Sequence, residues 1–182
     1  MTVQTQVDEA KLQEFMGTLI GYMSGAAACF GMLLGDELGL YRALADEGPL
    51  SADALAQKTG CNPRLVREWL DSEAAAKLVS YDAVEDTYEL SPEAIMALAD
   101  DSTPVFVARG MNGFASFFLD IDKVASAFRG NGGLAWSDHH PRLFSGTEWF
   151  FRTGYRAYLT SAWIPHSRVS MPSFSLGPAR LM

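Results

Sequence analysis

The chain has 182 residues, 48% of them hydrophobic and 20% charged, proportions that exclude a disordered polymer, a collagen-like repeat and a disulfide-dense miniprotein. Fourteen basic residues stand against 22 acidic ones, so the formal net charge is −8, which opposes general attraction to a phosphate backbone. The acid excess lies in front: residues 1–90 hold six bases and fifteen acids, whereas residues 91–182 hold eight and seven.

The first ten residues are polar and acidic without a basic stretch, so no signal peptide is read. Two isolated cysteines, Cys29 and Cys61, fit a reduced cytoplasmic protein. Residues 8–22 predict a first helix, with Leu12, Phe15, Met16, Leu19 and Ile20 as its apolar stripe. Ser24-Gly25 reads as a break, and residues 26–45 predict a second helix stopped by Asp46-Glu47-Gly48-Pro49. No charge occurs between Phe15 and Gly35, a length that can span a bilayer, and Gly17, Gly21 and Gly25 have the spacing of paired membrane helices. Thr18, Tyr22, Ser24 and the glycines dilute that apolarity, and no basic cluster flanks it. The reading is therefore two soluble helices packed against a second subunit, a homodimer with no membrane span.

Ser51 is placed to cap a short helix over residues 52–59 closed by Gly60, and Asn62 to cap the next, with Pro63 in its first turn. Val66, Leu70 and Ala74 give that next helix, residues 63–77, its buried face. Helix, tight turn and helix are the helix-turn-helix pattern. Leu78-Val79-Ser80-Tyr81 and Thr87-Tyr88-Glu89-Leu90 then read as two strands around an acidic turn, and Ser91-Pro92 opens a further short helix. A β-hairpin after three helices is the winged-helix arrangement.

Winged helices place the second motif helix in the major groove of DNA. Here that helix carries Arg64, Arg67 and Lys77 against Glu68, Asp71 and Glu73, and the wing turn carries Asp82, Glu85 and Asp86. Acids at the wing oppose phosphate contact, so a scaffold and dimerisation role is favoured over DNA binding.

Residues 103–119 predict an apolar helix with Met111, Phe114 and Phe118 on one face, and residues 120–129 a short one ended by Gly130-Asn131-Gly132-Gly133. Residues 147–163 predict a last helix dense in aromatics, ended by Pro165, before an irregular tail over 166–182. The aromatic belt of Trp149, Phe150, Phe151, Tyr155, Tyr158 and Trp163 fits either a packed core or the wall of an apolar pocket with Arg152, Tyr155 and Arg156 as polar handles. Asp138-His139-His140 lacks a third ligand at helical spacing and reads as a solvated loop or pocket rim, so no metal is expected. The glycine run at 130–133 follows no strand and serves as a helix stop. Neither a nucleophile motif nor a phosphate loop is present, so no catalytic residues are assigned.

Four stretches resemble the N-terminal part of class I S-adenosylmethionine-dependent methyltransferases that carry a winged helix in front. They are Gly35-Asp36-Glu37-Leu38-Gly39-Leu40-Tyr41-Arg42-Ala43-Leu44, Leu55-Ala56 with Asn62-Pro63-Arg64-Leu65-Val66-Arg67-Glu68-Trp69-Leu70, Tyr88-Glu89-Leu90-Ser91-Pro92-Glu93, and Phe150-Phe151-Arg152-Thr153-Gly154-Tyr155-Arg156. The resemblance spans roughly residues 15 to 165. It implies a helical front domain that dimerises and helps wall the pocket of a small hydrophobic or aromatic substrate. It also implies a Rossmann-like domain that binds S-adenosylmethionine through a strand and a glycine loop. The expected loop and its acidic partner do not follow Pro165, and no acid occurs after Glu148.

The expected fold is mainly α: a winged helix-turn-helix with one β-hairpin, flanked by N-terminal dimerisation helices and C-terminal aromatic-rich helices. Its expected parts are N-terminal helices at 1–47, the winged helix at 48–99, a substrate-lid and linker segment at 100–165 and the tail at 166–182. The chain is expected to be a truncated methyltransferase, inactive alone and holding no cofactor itself. Phe114, Phe118, Trp136, Arg152, Tyr155 and Arg156 are its expected substrate-pocket residues. The alternative is a stand-alone winged-helix regulator using a basic face of Arg64, Arg67 and Arg109, or a remnant that pairs with full-length relatives.

Overall fold

The computed structural model describes residues 7–130 and 132–166; most of the expected irregular tail lies outside the described residues. Helix α1, Glu9–Glu37, starts at Asp8, whose carboxylate accepts the backbone N–H groups of Ala10 and Lys11, and runs unbroken for 29 residues. The expected break at Ser24-Gly25 is not there. An interior glycine costs a helix only about 1 kcal/mol relative to alanine, which does not stop a long helix with strong neighbours. The chain breaks instead at Gly39, where φ is +69°, and α2 follows as Leu40–Glu47. The predicted second helix over 26–45 is thus the end of α1 plus α2.

Helices α3, Ala52–Thr59, and α4, Pro63–Ala75, form as the caps predict. Ser51 Oγ accepts the Ala54 N–H at 3.2 Å, and Asn62 Oδ1 accepts those of Arg64 and Leu65 at 3.0 and 3.4 Å. Lys77 has φ +63°, so α4 ends two residues before it. Strands β1, Ser80–Asp82, and β2, Thr87–Glu89, pair antiparallel with Tyr81 opposite Tyr88. Leu50 extends this wing by exchanging both backbone hydrogen bonds with Tyr88 at 3.0 and 2.8 Å. The core gathers Leu40, Tyr41 and Leu44 of α2, Leu55 of α3, Trp69 and Leu70 of α4, Tyr88 of the wing, and Leu98 and Phe106 beyond it. This is the winged helix, and the described residues are mainly helical with one hairpin.

After α5, Pro92–Ala94, and a π-helical turn over Ile95–Ala99, the chain departs from the predicted long helix at 103–119. Thr103 Oγ1 bonds the carbonyls of Met96 and Asp100, and the Val107 N–H bonds that of Ala97, so local partners outcompete helix there. Helix begins only with a 3₁₀ turn, Ala108–Gly110, leading into α6, Met111–Leu119. Next come α7, Ile121–Phe128, and α8, Pro141–Tyr158, which starts six residues earlier than expected because His140 caps it: its Nδ1 accepts the Arg142 N–H at 3.2 Å. A π turn, Leu159–Trp163, carries the axis on into α9, Ile164–His166. Pro165 therefore lies within the last helical turn rather than ending it.

Two helix crossings depend on missing side chains. A Cβ at Gly146 of α8 would sit 2.0 Å from the Gly113 nitrogen of α6, and one at Gly35 of α1 would sit 2.6 Å from both the Trp69 and Tyr41 rings. Gly35→Ala should therefore overpack the core and lower the unfolding free energy by about 1–3 kcal/mol, read from the urea midpoint. A midpoint equal to wild type would contradict this packing.

Candidate functional site

Between α1 and α6 lies an open apolar groove of about 650 Å³. Phe30, Leu33 and Leu34 form the α1 wall, and Met111, Phe114 and Phe118 the α6 wall. Phe30, Phe114 and Phe118 in these walls are 68%, 47% and 72% exposed. Its only charged lining groups are Glu37 and Arg142; Arg142 Nη1 bonds Glu37 Oε1 and Asn112 Oδ1, joining α8 to the ends of α1 and α6. Chemically the groove can hold apolar surface beside one ion pair. Its one thiol among the described lining residues is Cys29, and no histidine lines the groove beside it.

The expected pocket residues do not converge. Phe114 and Phe118 lie in this groove. Arg152, Tyr155 and Arg156 lie together in a separate, shallow concavity on α8 with Glu148 and Phe151. There Arg152 stacks 4.5 Å from the Trp149 ring and approaches Glu148 at 3.6 Å. Trp136 lines neither: it packs on Phe144 and His139, with ring centroids 5.2 and 6.0 Å away. The α1 wall was not singled out from sequence, although the charge-free run from Phe15 to Gly35 contains Phe30, Leu33 and Leu34 and was the available signal.

From Val7 to Ala27 every residue of the chain is exposed. Leu12, Phe15, Met16, Leu19, Ile20 and Met23 there present a continuous apolar stripe. At 1.5 Å per residue this free part of α1 is an arm about 28 Å long. By length and composition α1 can cross a membrane, and 11% of its most apolar stretch is buried in the protein. Gly17, Gly21 and Gly25 lie on this arm, and a Cβ at any of them would meet nothing within 4 Å.

Of the three arginines considered for a basic face, Arg67 and Arg109 are engaged internally. Arg67 Nη1 bonds both Asp86 oxygens, at 2.8 and 3.1 Å, and its guanidinium stacks on Tyr81 and Tyr88. Hydrogen bonds from Tyr81 and Arg67 in turn hold the Asp86 carboxyl below its ordinary range. Arg109 pairs bidentately with Asp36 of α1, both contacts at 3.0 Å, and stacks 4.2 Å from Trp149.

The Asp138-His139-His140 patch is ordered by a carboxylate that sequence reasoning missed. Asp120, whose side chain is 3% exposed, accepts the His140 N–H at 2.8 Å, meets His139 Nδ1 at 3.1 Å and pairs with Lys123 at 2.9 Å. Lys123 also bonds the Asp138 carbonyl at 2.6 Å. The His140 N–H, then Lys123 and His139, hold the Asp120 carboxyl down at about 2 against the effect of burial. Among the described residues no group of three or more His, Cys, Asp and Glu side chains is placed to hold a metal ion.

The profile of the Rv2258c-like winged HTH domain matches residues 26–99. No curated protein sequence matches the chain. Among solved structures it is similar to human N-acetylserotonin methyltransferase in complex with SAM, at a TM-score of 0.57 and 15% identity, over 86% of this chain and 47% of that one. PigF with SAH matches at a TM-score of 0.57 and 14% identity, over 90% of this chain and 49% of that one. The S-adenosylmethionine-dependent methyltransferase SibL in its apo form matches at 0.54 and 17%, over 80% and 47%. The chain thus spans about half the length of these structures and shares the fold of that half.

Because the Asp120 carboxyl is held low, the stability it contributes is present above its ordinary 3.8 and is lost as the pH falls through about 2. Asp120→Asn should lower the melting temperature at pH 7 and lose less stability than wild type between pH 4 and 2. Parallel pH profiles for the two proteins would contradict the assignment.

Proposed function

We propose that this chain is the N-terminal part of an S-adenosylmethionine-dependent small-molecule methyltransferase, in which it pairs two subunits and walls the substrate pocket. The observation that carries this reading is the uncovered α1 arm and groove, on a fold shared with one half of three methyltransferase structures. An apolar stripe of this length needs a cover. In a symmetric pair the arms' six large side chains count twice, a gross gain on the order of 10 kcal/mol even for partial burial. That is comparable with the cost of association, so the stripe decides whether the pair holds. A second copy suits the arm better than a bilayer: open glycines one turn apart permit close helix approach, and no basic cluster flanks the arm.

The winged helix serves as scaffold in this reading. Its wing presents Asp82, Glu85 and Asp86, and Arg67 is already satisfied by Asp86, which disfavours phosphate contact. The described residues do not suit S-adenosylmethionine. Their only strands are β1 and β2 of the wing, and the glycine run near 130 follows helix α7 rather than a strand. The cofactor and the methyl transfer accordingly belong to other residues of the whole enzyme. Phe114 and Phe118 are this chain's contribution to an apolar substrate wall, and Arg152, Tyr155 and Arg156 line the separate concavity on α8. Free Cys29 and Cys61 suit a reducing cytoplasm.

Light scattering should give a dimer mass for the chain. Ile20→Asp, at a position 57% exposed in the single chain, should keep the helical circular dichroism yet weaken the dimer about 100-fold or more, since both copies lose at least about 1.5 kcal/mol. A monomeric wild type, or a variant that pairs as tightly, would overturn the pairing role. Calorimetric titration of S-adenosylmethionine into the chain should show no saturable heat; saturable binding would place the cofactor site within these residues instead.

A further inference from the structure

Glu73 of α4 is fully buried, in a position no substrate or interface role uses. One carboxyl oxygen, Oε2, accepts the Tyr41 hydroxyl of α2. The other, Oε1, has no hydrogen-bond partner and lies against α1 so closely that a Cβ at Gly31 would overlap it. Beside it the Trp69 indole N–H bonds the Gly31 carbonyl at 3.0 Å, closing the gap between α1 and α4. No cation compensates this carboxyl: Glu73 takes part in none of the ion pairs among the described residues. From α1 the nearest charged influence is Asp36, which acts on Tyr41 and is itself paired with Arg109 and Arg42. From α2 there is the Tyr41 hydroxyl alone, and from α4 itself the neutral Trp69 ring.

We propose that the Glu73–Tyr41 pair is a pH-sensitive latch, holding α1 on the winged helix while Glu73 is protonated and releasing it when Glu73 ionises. A neutral carboxylic acid is tolerable in a dry site with one hydrogen bond, whereas a carboxylate with a bare oxygen and no cation is not. Moving Gly31 off α4 would open Oε1 to water and favour the charged form, so ionisation and opening of this contact are coupled. Burial raises the carboxyl above its ordinary 4.5, and the Tyr41 bond offsets that only in part. The sign follows from linkage: the closed contact is fully stable below 4.5 and loses stability as the pH rises through the higher midpoint of the closed state. Between those two values the opening constant grows up to tenfold per pH unit, then levels off. The latch is independent of the methyltransferase reading, because it concerns only how α1 is held.

Two measurements on the full chain test it. Carboxyl ¹³C NMR of the wild type should show Glu73 titrating above its ordinary 4.5. Hydrogen exchange, corrected for the intrinsic pH dependence, should show α1 amides near Gly31 opening faster with pH up to that midpoint, while Glu73→Gln removes the dependence. Glu73 titrating at the ordinary 4.5 of its carboxyl would overturn the proposal, as would the same pH profile in wild type and Glu73→Gln. Should Glu73→Gln fail to fold, the wild-type titration and exchange profile decide alone: a coincident midpoint supports the latch and a flat exchange profile refutes it.

Discussion

Helix α1 must bring its backbone against Trp69, Tyr41 and Glu73, three bulky side chains already committed to the winged-helix core, and it does so only where it carries Gly31 and Gly35. One methyl group at Gly35 would enter two aromatic rings, so this short stretch fixes the angle at which the whole helix leaves the body. Arg109 on Asp36 and Arg142 on Glu37 then tie the same end of α1 to the C-terminal helices. The groove between α1 and α6 is a geometric result of those anchors. They hold two apolar helices side by side at one end and leave the facing walls open.

Function follows from what this anchoring leaves uncovered. A helix pinned by its last turns and bare over the rest is a poor element for an isolated domain and a suitable one for joining subunits. The groove beside it offers apolar contact, one ion pair and the Cys29 thiol, a lining that suits a wall. The winged helix between them is held together by its own arginine–carboxylate and aromatic contacts, notably Arg67 with Asp86 and Tyr81.

Much of the winged helix was legible because its signals are local. Ser51, Gly60, Asn62 and Pro63 each act within one helical turn, and the structure places each where such residues act. The misread features either carry no mark in residue type or depend on partners distant in sequence. Ser24-Gly25 resembles a break, but Gly39, whose left-handed backbone ends the helix, is marked by nothing except its conformation. His140 caps α8 through a ring nitrogen, a capping group that ordinary cap preferences do not flag. The loop before it is ordered by Asp120 from 20 residues upstream. Aromatic content pointed to Phe114, Phe118, Trp136 and Tyr155 together, yet composition carries no information about which side of a helix faces which neighbour. The structure divides them among three places. In sequence Glu73 is one of six charges on the second motif helix, and only its contacts with Tyr41 and Gly31 show that it is enclosed.

The most direct test of the account is an intermolecular distance. A spin label at Thr18, in the middle of the arm, on a chain whose Cys29 and Cys61 are replaced by serine, reports whether two arms lie together. Pairing through α1 predicts a single narrow distance between labels that vanishes when labelled chain is diluted into excess unlabelled chain. Absence of any dipolar coupling between labels in undiluted protein would contradict the account: the arm would then be covered by something other than a second copy.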